Sequence, residues 1–155
     1  MKLKYILLSL LVLVLASSVV FAAEQASIDD YTFTVPDGFE VTNQSEHSVS
    51  LQKDIDHAIV IVNPDEDKSP DVFKAELEKQ GYEFGEESNY TAYNCPIEQY
   101  NYKKDSYQGF LYSCHLGDDY SDIVYITYVI PEDEDIDAGV NPVDTILKSL
   151  ADVDE

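Results

Sequence analysis

The alternation of hydrophobic and polar positions first predicts a group of β-strands. Apolar and polar residues alternate at residues 31–35 and 48–52, as in strands with one buried face. Residues 57–62 (HAIVIV) and 122–130 (DIVYITYVI) are almost continuously apolar and rich in β-branched residues. Such runs are typical of central strands that are covered on both faces. Shorter extended segments are expected at residues 39–41 and 82–87.

Two helices are predicted among these strands. The first is preceded by Ser69-Pro70 and ends at Gly81, which suits a helix start and a helix stop. The second follows Asn141-Pro142, and its apolar residues recur at helical spacing: Val143, Ile146, Leu147 and Leu150. Hairpin-length links between strands favour antiparallel pairing. The predicted fold class is therefore α+β, an antiparallel sheet with helices on both faces in a three-layer α/β/α sandwich.

The amino-terminal segment changes this picture, because it is predicted to lie outside the folded domain. Lys2 and Lys4 precede a long apolar run, and small residues around Ala22 suit cleavage by signal peptidase. Residues 1–22 are therefore interpreted as a signal peptide and residues 23–155 as a single domain. The alternative is an uncleaved membrane anchor, since the apolar run is close to the minimum length that spans a bilayer.

The net charge of the chain limits the classes of partner that it is expected to bind. The chain has 31 acidic residues against 9 basic residues, and its formal net charge is −22. A nucleic-acid-binding or anionic-membrane-binding surface needs a basic patch, so neither partner is expected. The expected partner is an unidentified protein or a component of the cell envelope, and membrane contact is expected only through an uncleaved amino-terminal segment.

Two cysteines, Cys95 and Cys114, are predicted to form a disulfide. An even number of cysteines in an exported chain favours oxidation. The intervening residues have the pattern of a hairpin, and a turn centred between Lys104 and Asp105 would place the two cysteines directly opposite each other. The alternative is a Cys–His metal site that includes His115, although no paired ligand motif accompanies it.

Several segments resemble the PsbP-like superfamily of small envelope and lumenal domains. These segments are YTFTVPDGFEV near the start of the domain, the HAIVIV strand, the Gly81-Tyr82 pair after the first helix, and NPVDTILKSL near the end. The resemblance covers nearly all of residues 23–155 and implies the three-layer sandwich. Members of that superfamily differ in role, so the resemblance implies no activity and no site residue.

The acidic segment between the last strand and the last helix has a spacing that suits calcium. Its oxygen-bearing residues occur at alternating and then wider intervals: Asp133, Asp135, Asp137, Asn141 and Asp144. An EF-hand loop uses a similar spacing, but this segment lacks its central glycine and its final glutamate. The alternative is a solvated acidic loop. Calcium is the one cofactor that the sequence suggests.

Tyrosines are concentrated in the cysteine hairpin. A symmetric hairpin would place Tyr100, Tyr102 and Tyr107 on one strand face, where exposed aromatic rings bind peptides or sugars. The alternative is that these rings pack beneath a helix. Asn43 and Asn89 begin two glycosylation sequons, both of which are expected in loops of a secreted glycoprotein.

The leading functional hypothesis is a secreted or cell-surface accessory domain that binds a partner and catalyses no reaction. The first alternative is a secreted hydrolase, whose site would assemble Ser50 or Ser113 with a distant histidine. The histidines available are His47, His57 and His115. The second alternative is a calcium-stabilised structural module.

Overall fold

The computed structural model describes residues 25–64, 69–136 and 141–152. Ten strands and two helices are present in these ranges. The strands are β1 (Gln25–Ile28), β2 (Tyr31–Thr34), β3 (Glu40–Gln44), β4 (Ser48–Gln52), β5 (Ala58–Val62), β6 (Glu83–Ala92), β7 (Cys95–Lys104), β8 (Tyr107–Leu116), β9 (Asp122–Pro131) and β10 (Ala151–Asp152). The helices are α1 (Pro70–Glu78) and α2 (Val143–Ser149). The proposed signal peptide, residues 1–22, lies outside the described residues.

Seven strands form one antiparallel sheet in the order β3-β4-β5-β9-β8-β7-β6. The two apolar runs form its central pair, with Val60 of β5 opposite Thr127 of β9. Every residue of β5 is buried, and most of β9 is buried as well. The predictions of antiparallel pairing and of two doubly covered central strands are therefore confirmed.

One face of this sheet is covered by α1. Phe73 and Leu77 of α1 are buried. The Phe73 ring stacks on Tyr125 of β9, with ring centroids 3.9 Å apart and planes 8° from parallel. The chain leaves the helix at Gly81, whose φ of +92° is a conformation that glycine adopts without strain. The predicted end of this helix is confirmed.

The opposite face is covered mainly by a second, smaller sheet with the strand order β1-β2-β10. Its buried residues Ile28 and Phe33 belong to one apolar cluster with Leu51 and Ile61 of the large sheet. Helix α2 has only seven residues and adds Val143, Ile146 and Leu147 to that cluster. Strand β2 is also tied to α2, because the Thr34 amide donates to Ser149 Oγ at 2.8 Å.

The predicted three-layer α/β/α sandwich with helices on both faces is therefore wrong. The chain is mostly antiparallel β-sheet, and its helices have nine and seven residues. The physical reason is that a two-turn helix cannot cover the face of a seven-stranded sheet. Residues 25–34 cover it as a hairpin. Its second strand, β2, lies in the segment predicted at residues 31–35, but β1 was not identified, because QASI contains only two apolar residues. In the part of the chain that the structure describes, no helix has the length and apolarity to cross a membrane.

Gly109 in β8 provides a test of the packing between strands. A Cβ atom at this position would overlap the carbonyl oxygen of Tyr128 and lie 2.8 Å from Tyr102 Oη. Backbone cannot move aside here, because Tyr102 Oη also donates to that carbonyl at 2.9 Å. We expect Gly109→Ala to lower the free energy of unfolding by about 3 kcal/mol, measured by urea denaturation.

Gly85→Ala is the matched control. A Cβ atom at Gly85 would lie 3.8 Å from Asn101 Cβ, an ordinary contact. We expect a change of less than about 1 kcal/mol for this variant. Equal effects of the two substitutions would contradict the close approach at Gly109.

Candidate functional site

The tyrosine patch predicted from the hairpin is buried. Tyr100 and Tyr102 are 4% and 3% exposed and pack against Tyr82 and Phe84. Lys74 of α1 places its Nζ 4.7 Å from the centre of the Tyr100 ring. Burial raises the pKa of Tyr102 well above its usual range. The expectation of an exposed binding face at these residues is wrong, because α1 lies over this face of the sheet.

Tyr107, the third residue of that predicted patch, is half-buried at the start of β8. Its hydroxyl lies 3.5 Å from Asp56 Oδ1 in the β4–β5 turn. Tyr107 is thus separated from the aromatic cluster around Tyr102.

Three other tyrosines are exposed at one end of the molecule. Tyr90, Tyr93 and Tyr120 are 38%, 48% and 51% exposed, and we call them the tyrosine rim. Tyr93 and Asn94 form the two-residue turn between β6 and β7, with φ values of 52° and 63°. Tyr120 lies in the β8–β9 turn, where its amide donates to the Gly117 carbonyl at 3.1 Å. The neighbouring ends of two hairpins thus present the rim.

Two open depressions lie beside the rim. The larger has a volume of about 470 Å³, and the lining side chains include Tyr90, Glu98, His115 and Tyr120. The smaller has a volume of about 110 Å³ and includes Tyr93, Tyr120 and Leu147. His115 and Tyr120 contribute to both. The two depressions therefore form a continuous surface of aromatic and polar groups.

Hydrogen bonds fix two rings of the rim. Tyr90 Oη donates to Gln99 Oε1 at 2.9 Å, and Tyr93 Oη donates to the Asp144 carboxylate at 3.1 and 3.2 Å. Burial, with nearby negative charge, raises the pKa of Tyr90 to about 12. The hydrogen bond to Asp144 raises the pKa of Tyr93. Both phenols therefore remain neutral at physiological pH and present their rings in fixed orientations.

The two serines considered for a hydrolase site are both buried. Ser113 is 1% exposed, and its hydroxyl has no hydrogen-bond partner among the described residues. Ser50 is buried as well. His115 Nε2 lies 3.3 Å from Glu98 Oε1, and Tyr100 donates to the other oxygen of that carboxylate at 3.2 Å. The histidine next to the rim thus contacts a carboxylate rather than a nucleophile.

The two cysteines lie near each other but not directly opposite. The β7–β8 turn is formed by Asp105 and Ser106, and Cys114 pairs with Ile97 rather than with Cys95. The predicted register was wrong by two positions, because the left-handed φ of Asp105 (54°) moves the turn by one residue. A two-position shift keeps both side chains on one face.

Both cysteines are free and buried in the structure. Cys95 Sγ donates to the His115 carbonyl at 3.2 Å. A hydrogen bond between the two thiols lowers the pKa of Cys95 and raises that of Cys114. The disulfide between Cys95 and Cys114 is not formed in the structure and stays a prediction.

The residues predicted to bind calcium are dispersed among other contacts. Asp137 lies outside the described residues. Asn141 Oδ1 accepts the Val143 amide at 3.0 Å and its Nδ2 donates to Tyr112 Oη at 2.6 Å, while the Asp144 carboxylate accepts the Tyr93 hydroxyl. Asp133 and Asp135 are exposed. Calcium binding by this segment stays a prediction.

Among the described residues, a different trio of potential metal ligands lies close together. It consists of Asp29, Glu46 and His47. His47 Nδ1 is 2.7 Å from Asp29 Oδ1, and its Nε2 is 3.8 Å from Glu46 Oε2. These residues join the β1–β2 and β3–β4 turns, and the Asp29 amide donates to the Glu46 carbonyl at 2.9 Å. Sequence reasoning missed the trio because its members come from two separate turns.

Both sequon asparagines are exposed, but neither lies in a loop. Asn43 is in β3 and Asn89 is in β6, the two edge strands of the large sheet. Asn89 also lines the larger depression beside the rim. The expectation that both lie in loops is therefore wrong, although an edge strand keeps their side chains accessible.

Comparisons with known proteins add a likeness in backbone structure. No family model and no curated protein matches the chain. Among solved structures, the chain is similar to cyanobacterial PsbP (CyanoP) from Synechocystis sp. PCC 6803, with a TM-score of 0.48 and 14% sequence identity. The match covers 77% of this chain and 88% of CyanoP. It concerns the course of the backbone and assigns no activity to the chain.

At the end of the molecule opposite the tyrosine rim, the largely buried side chain of His57 contacts residues of two turns. His57 Nδ1 lies 2.7 Å from Asp54 Oδ1, and His57 Nε2 lies 2.8 Å from Glu134 Oε2. Both ring nitrogens donate only when the imidazole is protonated. Burial lowers the pKa of His57, but hydrogen bonds to Glu134 and Asp54 and their charges outweigh it, so the pKa is raised above 6.5.

This arrangement predicts a pH-dependent contribution to stability. Because the folded-state pKa of His57 is raised, the contribution is fully present below pH 6.5 and is lost as pH rises through the folded pKa. We expect the difference in unfolding free energy between wild type and His57→Gln to shrink between about pH 6 and about pH 8 in urea titrations. Glu134→Gln, which removes one of the two acceptor carboxylates and keeps the imidazole, should reduce the same pH dependence. Parallel curves for wild type and His57→Gln would contradict the prediction.

Proposed function

We propose that this chain is a non-enzymatic domain of the cell exterior that binds a partner protein through the tyrosine rim. The observation that supports this proposal is the exposure of Tyr90, Tyr93 and Tyr120 around two connected depressions. Tyrosine is enriched in protein interfaces because its ring supplies apolar area at a low cost in side-chain entropy. Rings held by hydrogen bonds lose even less freedom on binding.

The charge of the rim indicates the chemistry of the partner. Glu98 lines the larger depression, Asp144 contacts Tyr93, and Asp118 and Asp119 lie in the turn that carries Tyr120. The whole chain has a formal net charge of −22. A partner segment that carries lysine or arginine therefore gains electrostatic attraction as well as contact with aromatic rings.

Export is a further part of the proposal. The pattern of residues 1–22 supports secretion or placement at the cell surface, and the features of a PsbP-like domain suit such a location. An oxidising compartment would convert the neighbouring thiols of Cys95 and Cys114 to a disulfide. Glycans at Asn43 and Asn89 are expected only in a host that modifies exported proteins.

The disulfide leads to a measurable expectation. When the chain is expressed with residues 1–22, so that it is exported, we expect no thiol of the exported protein to react with Ellman's reagent under denaturing conditions. Reduction should lower the free energy of unfolding by about 3 kcal/mol, since the bond closes a loop between Cys95 and Cys114. Cys114→Ser, which leaves one thiol, calibrates the assay. Two reactive thiols in the exported protein would show that the bond does not form.

The tyrosine rim is tested with an array of random-sequence peptides. We expect the labelled protein to select lysine-rich or arginine-rich peptides, and Tyr93→Ala or Tyr120→Ala to weaken their binding by about tenfold. The control is Ile55→Ala, which removes an apolar side chain that is 67% exposed. Ile55 lies in the β4–β5 turn, at the opposite end of the sheet from the rim.

Ile55→Ala should bind as wild type does. Equal binding by wild type and the rim variants would overturn the proposal. Binding of the labelled protein to glycans on a parallel array, with no binding to any peptide, would overturn it as well. Far-ultraviolet circular dichroism of each variant separates loss of binding from loss of fold.

A further inference from the structure

Among the strands that the structure describes, β6 forms one edge of the large sheet and pairs with β7 alone. It has ten residues, and eight of them are exposed. Its pairing with β7 is continuous from Glu87 to Ala92, after a bulge between Phe84 and Glu87. Six residues in regular extended conformation span about 20 Å, which is the length of an ordinary strand.

The two-residue turn at Tyr93-Asn94 determines which backbone groups face outward. Such a turn joins a hydrogen-bonded pair, here Ala92 and Cys95. Hydrogen-bonded and non-hydrogen-bonded pairs alternate along an antiparallel ladder. The outward N–H and C=O groups therefore belong to the three residues Glu87, Asn89 and Thr91.

The opposite edge of the sheet differs from β6. Strand β3 has five residues and is interrupted by a bulge between Val41 and Asn43. Its end is also contacted by the small sheet, because Gln44 Nε2 donates to the Ser27 carbonyl at 3.0 Å. Of the two edges, β6 is the one that offers a long and regular ladder.

Charge favours a basic strand at this edge over a second copy of the chain. Glu83, Glu86 and Glu87 are exposed on β6, which contains no lysine. Two copies would bring these glutamates and two net charges of −22 together. Glutamates on an edge strand oppose self-pairing, and the same charges attract a strand that carries lysine or arginine.

We propose that the outer edge of β6 at residues 87–91 binds an extended, lysine-containing or arginine-containing segment of the partner protein as an added strand. This inference rests on the proposed function, because Asn89 and Tyr90 also line the larger depression beside the rim. The added backbone pairs with Glu87, Asn89 and Thr91, and basic side chains lie near the glutamates. Aromatic or apolar residues of the same segment can reach the tyrosine rim.

The experiment measures binding of a fluorescent peptide of about nine residues in which lysine alternates with valine. Two N-methylated analogues keep the charge, one methylated at the lysines and the other at the valines, so that one of them loses the N–H groups that face β6. We expect that analogue to bind at least about tenfold more weakly, measured by fluorescence anisotropy. Equal binding by both analogues and the parent peptide would show that charge alone attracts the peptide and would overturn strand addition.

Thr91→Pro tests the protein side of the same ladder. It removes an N–H that faces outward, so the pairing with β7 is retained, and proline is tolerated at such an edge position. We expect Thr91→Pro to weaken peptide binding at least about tenfold. The matched variant Thr91→Ala keeps the N–H and should change binding by less than about twofold.

The outcomes separate this inference from the proposed function. If Tyr120→Ala weakens binding and Thr91→Pro does not, partner binding at the rim stands and strand addition is overturned. If neither substitution weakens binding, both proposals fail. A peptide in which glutamate replaces lysine should not bind. If it binds as tightly as the lysine peptide, the proposal that the added strand is basic is overturned.

Discussion

The structure depends on burying both faces of the central strands β5 and β9. Their nearly continuous apolar sequences cannot remain next to water on either side, so the chain must supply a cover for each face. Helix α1 covers one face, where Phe73 stacks on Tyr125. The small sheet, with α2 beside it, covers the other. Three of the six tyrosines between β6 and β8 are buried in this packing, namely Tyr100, Tyr102 and Tyr112.

This packing also explains where a partner can bind. Side chains in the middle of β8 and β9 lie under α1 or under the small sheet, whereas the turns at the ends of the long hairpins extend beyond both covers. Tyr93 and Tyr120 are exposed because they lie in those turns. Strand β6 stays open for a related reason, since it is the last strand of the sheet and no element packs along its outer side in the described residues.

Prediction from the sequence succeeded where the hydrophobic pattern is long. The runs at residues 57–62 and 122–130, the two helices and the antiparallel pairing were all identified. The strand predicted at residues 31–35 is present as β2, but the pattern failed for β1, since the two apolar residues of QASI carry too little periodicity. It also placed the candidate patch at Tyr100 and Tyr102, because periodicity states that two side chains share a face and does not state what covers that face.

The sequence by itself determined the central strands, the positions of both helices, the strongly acidic character of the chain and the location of its two cysteines on one face of the sheet. Only the tertiary structure decided which layer covers each face, the register of β7 on β8, and which tyrosines reach the surface. The physical reason is that local periodicity reflects burial along a single element. The register and the covering layers follow from contacts between residues far apart in the chain, such as Thr34 with Ser149 or Phe73 with Tyr125.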